Sequence, residues 1–76
     1  MVTTEEMAFV EVYLLTGLDE ALWYREGGGL PRALQVGDLV RIPLLRRTEL
    51  GVIASVGQEI PEEIQPAKVR DVIELV

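Results

Sequence analysis

One stretch constrains this chain more than any other. It is Leu34-Gln-Val-Gly-Asp-Leu-Val-Arg-Ile-Pro-Leu-Leu-Arg-Arg-Thr-Glu-Leu-Gly-Val-Ile-Ala-Ser-Val56. Val36-Gly37-Asp38 is a turn signal, because Gly takes φ > 0 freely and Asp can hydrogen-bond its own backbone. Residues 39–44 then alternate, with Val40, Ile42 and Leu44 on one face and Leu39 and Arg41 on the other. Arg46-Arg47-Thr48 interrupts the apolar run as a tight basic turn, and Leu50 to Val56 resumes it. Strands this close in sequence must pair antiparallel, since a parallel return needs a crossover of a dozen or more residues. The rest of the chain has to cover the apolar face of this hairpin.

Seventy-six residues allow one domain with a small core. The chain has no Cys and no His. It therefore has no disulfide framework, no thiolate metal site and no imidazole to act as ligand or general base. Zero Cys is compatible with a reducing compartment, and the expected location is cytoplasmic. The opening residues lack the basic start and apolar run of a signal peptide. No stretch approaches the roughly 20 apolar residues of a membrane helix, so no membrane partner is expected.

The net charge of −6 argues against a general nucleic-acid coat. Its distribution is uneven. Residues 1–24 carry five acids and no base, and residues 48–76 carry six acids against Lys68 and Arg70. Residues 25–47 hold Arg25, Arg32, Arg41, Arg46 and Arg47 against Glu26 and Asp38, a net of +3. Every cation in this middle third is Arg, which suits bidentate phosphate or carboxylate contacts. Scattered solubilising charge is the plainer reading of the same residues.

In chain order, residues 1–7 read as a disordered lead-in and 8–76 as a single domain. Ala8 to Leu15 is a first strand, with Val10, Val12 and Leu14 on one face and a mixed second face of Phe9, Glu11, Tyr13 and Leu15. Ala21 to Arg25 is a short second strand, Leu22 and Tyr24 on one side, Trp23 and Arg25 on the other. Gly27 to Gly29 reads as a flexible turn rather than a phosphate loop, since no Gly-Lys-Ser/Thr follows. Pro43 has no N–H and belongs on a free edge or a bulge. Gly51, inside a strand, marks a bulge or a close backbone approach. Pro61-Glu62-Glu63 fits a short helical turn near 61–65, ended by Pro66. Lys68 to Val76 is the last strand, with Ile73 and Leu75 on its apolar face. The fold expected is all-β, a small OB-like β-barrel of five to six short strands. Because the sequence stops in an apolar strand-like run, we expect it to be the front piece of a longer protein.

Catalysis by this chain alone is not expected. Ser55 is the only serine and has no His to activate it. The Glu62-Glu63 pair has no evident third ligand, so it reads as a solvated face. Binding remains. Trp23 and Tyr24 are adjacent, so one ring faces inward and the other outward, where a ring beside Arg25 could stack on a nucleobase. Packing of both rings is the structural alternative. Arg46 and Arg47 at a hairpin tip could reach a phosphate, or simply keep a turn polar. Arg70 could point into a groove or into solvent.

Several segments together resemble a known family. They are Val10-Glu-Val12, Leu18-Asp19, Tyr24, Val36-Gly-Asp-Leu-Val-Arg-Ile-Pro43, Leu50-Gly-Val-Ile53, Ile60-Pro61 and Val69-Arg-Asp-Val-Ile-Glu74. In this order they resemble the N-terminal domain of the primosomal protein N′ family, the PriA-type replication-restart helicases. The resemblance covers residues 8–76. It implies an oligonucleotide-binding barrel that holds the 3′ end of a DNA strand at a stalled fork or D-loop. It also implies single-stranded or forked DNA as partner, with other primosome proteins and single-strand-binding protein engaged through the parent helicase. ATP, Mg and Zn would be used by parts outside this chain, which itself needs no cofactor.

The family pocket uses Phe, Asp, Gly and Lys. The matching positions here are Leu22, Trp23, Leu45 and Arg70, so only the cation is kept in kind. An acceptor is lost at Trp23, and bulk is added at Leu45. The resemblance then implies one of two outcomes. Trp23 and Arg70 build a different pocket from stacking and charge, or the domain has lost 3′-end recognition and serves as an interdomain scaffold. An unrelated SH3-like barrel that binds protein or RNA is the remaining alternative.

Overall fold

A computed structural model describes residues 8–17 and 21–76. The expected lead-in 1–7 and the Leu18-Asp19 pair lie outside the described residues. The six strands are β1 (Phe9–Leu14), β2 (Leu22–Arg25), β3 (Leu39–Leu44), β4 (Arg47–Gly57), β5 (Arg70–Asp71) and β6 (Glu74–Leu75). They form one curled mixed sheet in the order β5-β2-β1-β4-β3-β6. This is a small all-β half-barrel, as the alternation and the Gly and Pro turns predict.

The alternating residues fill its interior. Val10 and Val12 from β1, Val40 and Ile42 from β3 and Ile53 from β4 are essentially fully buried, with Leu14, Tyr24, Leu34, Val69 and Val72 around them. Hydrophobic burial of this order is the main favourable term for so short a chain.

The β3–β4 pair is antiparallel, Leu39 opposite Val52 and Leu44 opposite Arg47. The turn before it is tied by Asp38 N–H to Gln35 O at 3.0 Å, and Gly37 takes φ +96° there. Strand β4 also pairs antiparallel with β1, and the register slips between Glu11 and Val12, which face Ser55 and Ile53. The extra residue is Ala54, a β-bulge that bends the long strand. Gly51 is the close approach rather than the bulge. A Cβ there would collide with Val12 Cγ1 and sit 2.9 Å from Tyr13 O.

Pro43 lies where a residue without an N–H belongs. Strand β6 pairs with β3 only at Val40 and Arg41, which leaves the β3 edge uncovered at Pro43. The Pro43 carbonyl is not orphaned, because the Tyr24 hydroxyl donates to it at 2.8 Å.

The last segment differs from the single strand expected over 68–76. It splits into β5, parallel to β2, and β6, antiparallel to β3. Both edges of the curled sheet are thus taken by one short stretch of chain. Val72 N–H donates to Arg25 O and Ile73 N–H to Arg41 O, each at 2.9 Å. This change of partner breaks the period-two pattern. Val69 and Val72 are buried, whereas Ile73, expected to face the core, is exposed.

The helical turn expected near 61–65 is a single turn closed by Ile64 N–H to Pro61 O at 3.0 Å. A 3₁₀ turn forms later, at Pro66–Lys68, with Pro66 starting it instead of ending a helix. Proline is pre-shaped for a first helical position, and that preference operates here at Pro66.

Candidate functional site

The candidate residues fall into two groups. Leu22, Trp23 and Arg70 lie at the β2–β5 edge, and Leu45, Arg46 and Arg47 lie at the tip of the β3–β4 hairpin. Tyr24 links them. It sits opposite Arg70 on β5, and its hydroxyl reaches Pro43, two residues before the tip. Burial pushes the Tyr24 pKa above the ordinary tyrosine value, an effect partly opposed by the nearby Arg70 cation.

On β2, Leu22 packs against the core and is half-buried. Trp23 is half-buried on the outer face, opposite Glu11. Tyr24 is therefore the inward ring, and Trp23 is neither fully packed nor fully presented. Arg70 is exposed and has no carboxylate partner among the described residues.

The hairpin tip differs from the expected Arg46-Arg47-Thr48 turn. Arg47 and Thr48 already belong to β4, opposite Leu44 and Pro43, so Leu45 and Arg46 form a two-residue loop. Leu45 takes φ +57° with its side chain 80% exposed. An L-residue pays roughly 1–2 kcal/mol for this left-handed region, which glycine and asparagine visit with far less strain. Leu is not a turn residue, and no local signal in the sequence marks it as one. A shallow, open hollow lies against Leu45, Arg46 and Arg47.

The charge map is also corrected. Of the five arginines in the middle third, four are engaged by carboxylates. Arg25 pairs with Asp71 at 2.9 Å, Arg32 with Asp38 at 2.9 Å, Arg41 with Glu74 at 3.4 Å and Arg47 with Glu49 at 2.7 Å. Two of these acids come from the C-terminal segment, which folds onto the basic third and neutralises it. Arg46 is the member of this group without a carboxylate partner among the described residues. The Arg32 pair is bidentate, and Asp38 also accepts the Gln35 N–H at 2.7 Å. These bonds hold Asp38 below the usual carboxylate range. This is the geometry of a braced turn.

Comparison of the chain with protein-family models, with curated proteins and with solved structures returned no match.

Two further features bear on function. Among the described residues no group of acidic side chains could hold a metal ion, and no helix is long and apolar enough to cross a membrane. The outer face of the sheet carries a lateral row of apolar side chains, Tyr13 opposite Val52 and Val52 opposite Leu39. Tyr13 and the neighbouring Leu15 are exposed. The sequence pattern identified this face as incompletely covered.

Proposed function

We propose that this domain binds single-stranded DNA and holds the 3′ end of a strand at a stalled fork or D-loop, as a module of a replication-restart primosomal helicase. The observation that carries the reading is the hairpin tip, where Arg46 has no carboxylate partner among the described residues and lies beside an open hollow. Arg70, also without a carboxylate partner among the described residues, adds a second cation across the Tyr24–Pro43 link. The family resemblance supplies the 3′ end and the helicase context.

Arg46, Lys68 and Arg70 are the cations without a carboxylate partner among the described residues, and so few in a chain of net charge −6 imply weak binding. The test is fluorescence anisotropy at low salt with short single strands ending in a free 3′-hydroxyl or a 3′-phosphate. The reading expects preference for the free hydroxyl, lost in Arg70→Ala and Trp23→Ala. It also expects a salt slope of roughly −0.7 in log K per phosphate held by Arg46 and Arg70. Indifference to the end would exclude 3′-end recognition.

A second reading is favoured by a specific observation. The apolar row Tyr13, Val52 and Leu39 suits contact with a neighbouring protein domain, which would make this barrel a scaffold. Weak, end-indifferent DNA binding together with stable association to the helicase core would select it.

A further inference from the structure

Leu45 was expected to obstruct a base pocket, but its side chain points into solvent from the end of a hairpin. Three observations meet at this residue. It is the most exposed of the large apolar residues described, at 80%. It is the one non-glycine residue described with positive φ. Arg46 and Arg47 follow it directly, and the hollow they line together opens beside it. A turn that only had to reverse the chain would relax by placing Gly or Asn at this position. Backbone strain of this kind collects where a side chain must be presented.

We propose that Leu45 is a wedge that inserts against the terminal base pair of a duplex at a single-strand junction. Arg46 holds the adjoining phosphate, and the hollow receives the displaced nucleotide. This role rests on the DNA-binding reading above and assigns its hairpin tip to the junction, leaving the β2–β5 edge for the strand end. An apolar side chain that partly unstacks a base step is a known physical device, and it needs neighbouring cations to anchor the backbone. Arg46 has no ion pair to break among the described residues, whereas Arg47 would have to exchange Glu49 for phosphate.

The test uses the 76-residue chain and two DNAs, a short duplex ending in two unpaired arms and a single strand of matching length. The duplex carries 2-aminopurine at its terminal pair, whose fluorescence rises when the base unstacks. Leu45→Gly and Leu45→Asn both suit positive φ, so both variants should melt no lower than the native chain. The native chain should bind the forked DNA more tightly than the single strand and raise the fluorescence. Both variants should lose about tenfold in fork affinity, the equivalent of one weak stacking contact. They should also lose the fluorescence rise and the preference for the fork over the single strand. Unchanged fork affinity and fluorescence in the variants would overturn the wedge and leave the DNA-binding reading standing. Absence of binding to either DNA would overturn both.

Discussion

Replacing Gly51 with Ala tests the central packing claim of this fold. Gly51 lies opposite Leu14 in the β1–β4 ladder and is buried. An added Cβ collides with Val12 Cγ1 and comes within 2.9 Å of Tyr13 O. Neither neighbour can yield easily. Val12 is fully buried opposite Ile53, and the Tyr13 carbonyl belongs to the backbone of β1. Overpacking of this kind costs about 1–3 kcal/mol. Ala recovers roughly 0.5–1 kcal/mol of the conformational entropy that Gly loses in a strand. The net expectation is a loss of about 1–2 kcal/mol, a large part of the roughly 4–11 kcal/mol that a domain of this length has. At about 4–8 °C per kcal/mol, the melting temperature should fall by roughly 4–16 °C. Thermal melts and urea titration with an unchanged m-value would measure it. In the Val12→Ala background the penalty should shrink but persist, because the Tyr13 carbonyl remains in place. A melting temperature equal to or above that of the native chain would refute the close-approach account.

Other expectations follow from the seam and the braced turn. Tyr24→Phe removes the bond to Pro43 O and should cost about 1 kcal/mol, read by urea titration. Because the folded pKa of Tyr24 is raised, the unfolded chain loses this proton first. Its stabilisation is complete below about pH 10 and falls as pH rises beyond that value. Alkaline melts should show the loss in the native chain and a smaller one in Tyr24→Phe. Asp38 has a lowered folded pKa, so its contribution is present above about pH 4 and is lost as pH falls below that range. Acid melts of Asp38→Asn should lack this step and start from a lower melting temperature.

The strands were legible because their residues alternate and because Pro43 and Gly51 carry local constraints that survive in any context. Val10, Val12, Val40 and Ile42 are buried on the faces their period assigns. The closing segment was not legible in the same way. Its partner changes at Val72 and Ile73, so a single period across 68–76 turns Ile73 inward when it faces out. The charge segregation misled for a related reason. Arg25 and Asp71 are 46 residues apart and Arg41 and Glu74 are 33 apart, and pairing over such distances depends on the tertiary fold. At the hairpin tip, Leu45 carries no turn signal, so the loop appeared to begin one residue late. The fold sets the candidate residues in two neighbourhoods, Leu45 with Arg46 and Arg47 at the hairpin tip and Leu22, Trp23 and Arg70 at the β2–β5 edge, where the resemblance implied one pocket from Leu22, Trp23, Leu45 and Arg70. Their connection through the Tyr24 hydroxyl has no sequence signature beyond a tyrosine on an apolar face, a pattern that would otherwise mean only packing.

The most direct test of the DNA-binding account is to locate where a strand lands. Amide shifts of the isotope-labelled chain would be followed by NMR during titration with a short single strand bearing a free 3′-hydroxyl at low salt. The account predicts perturbations concentrated at Leu45, Arg46 and Arg47, with a second set at Leu22, Trp23 and Arg70, and little change at Tyr13, Val52 and Leu39. Shifts confined to the outer apolar row, or no shifts at all, would contradict it and transfer the working surface of this domain to protein contacts.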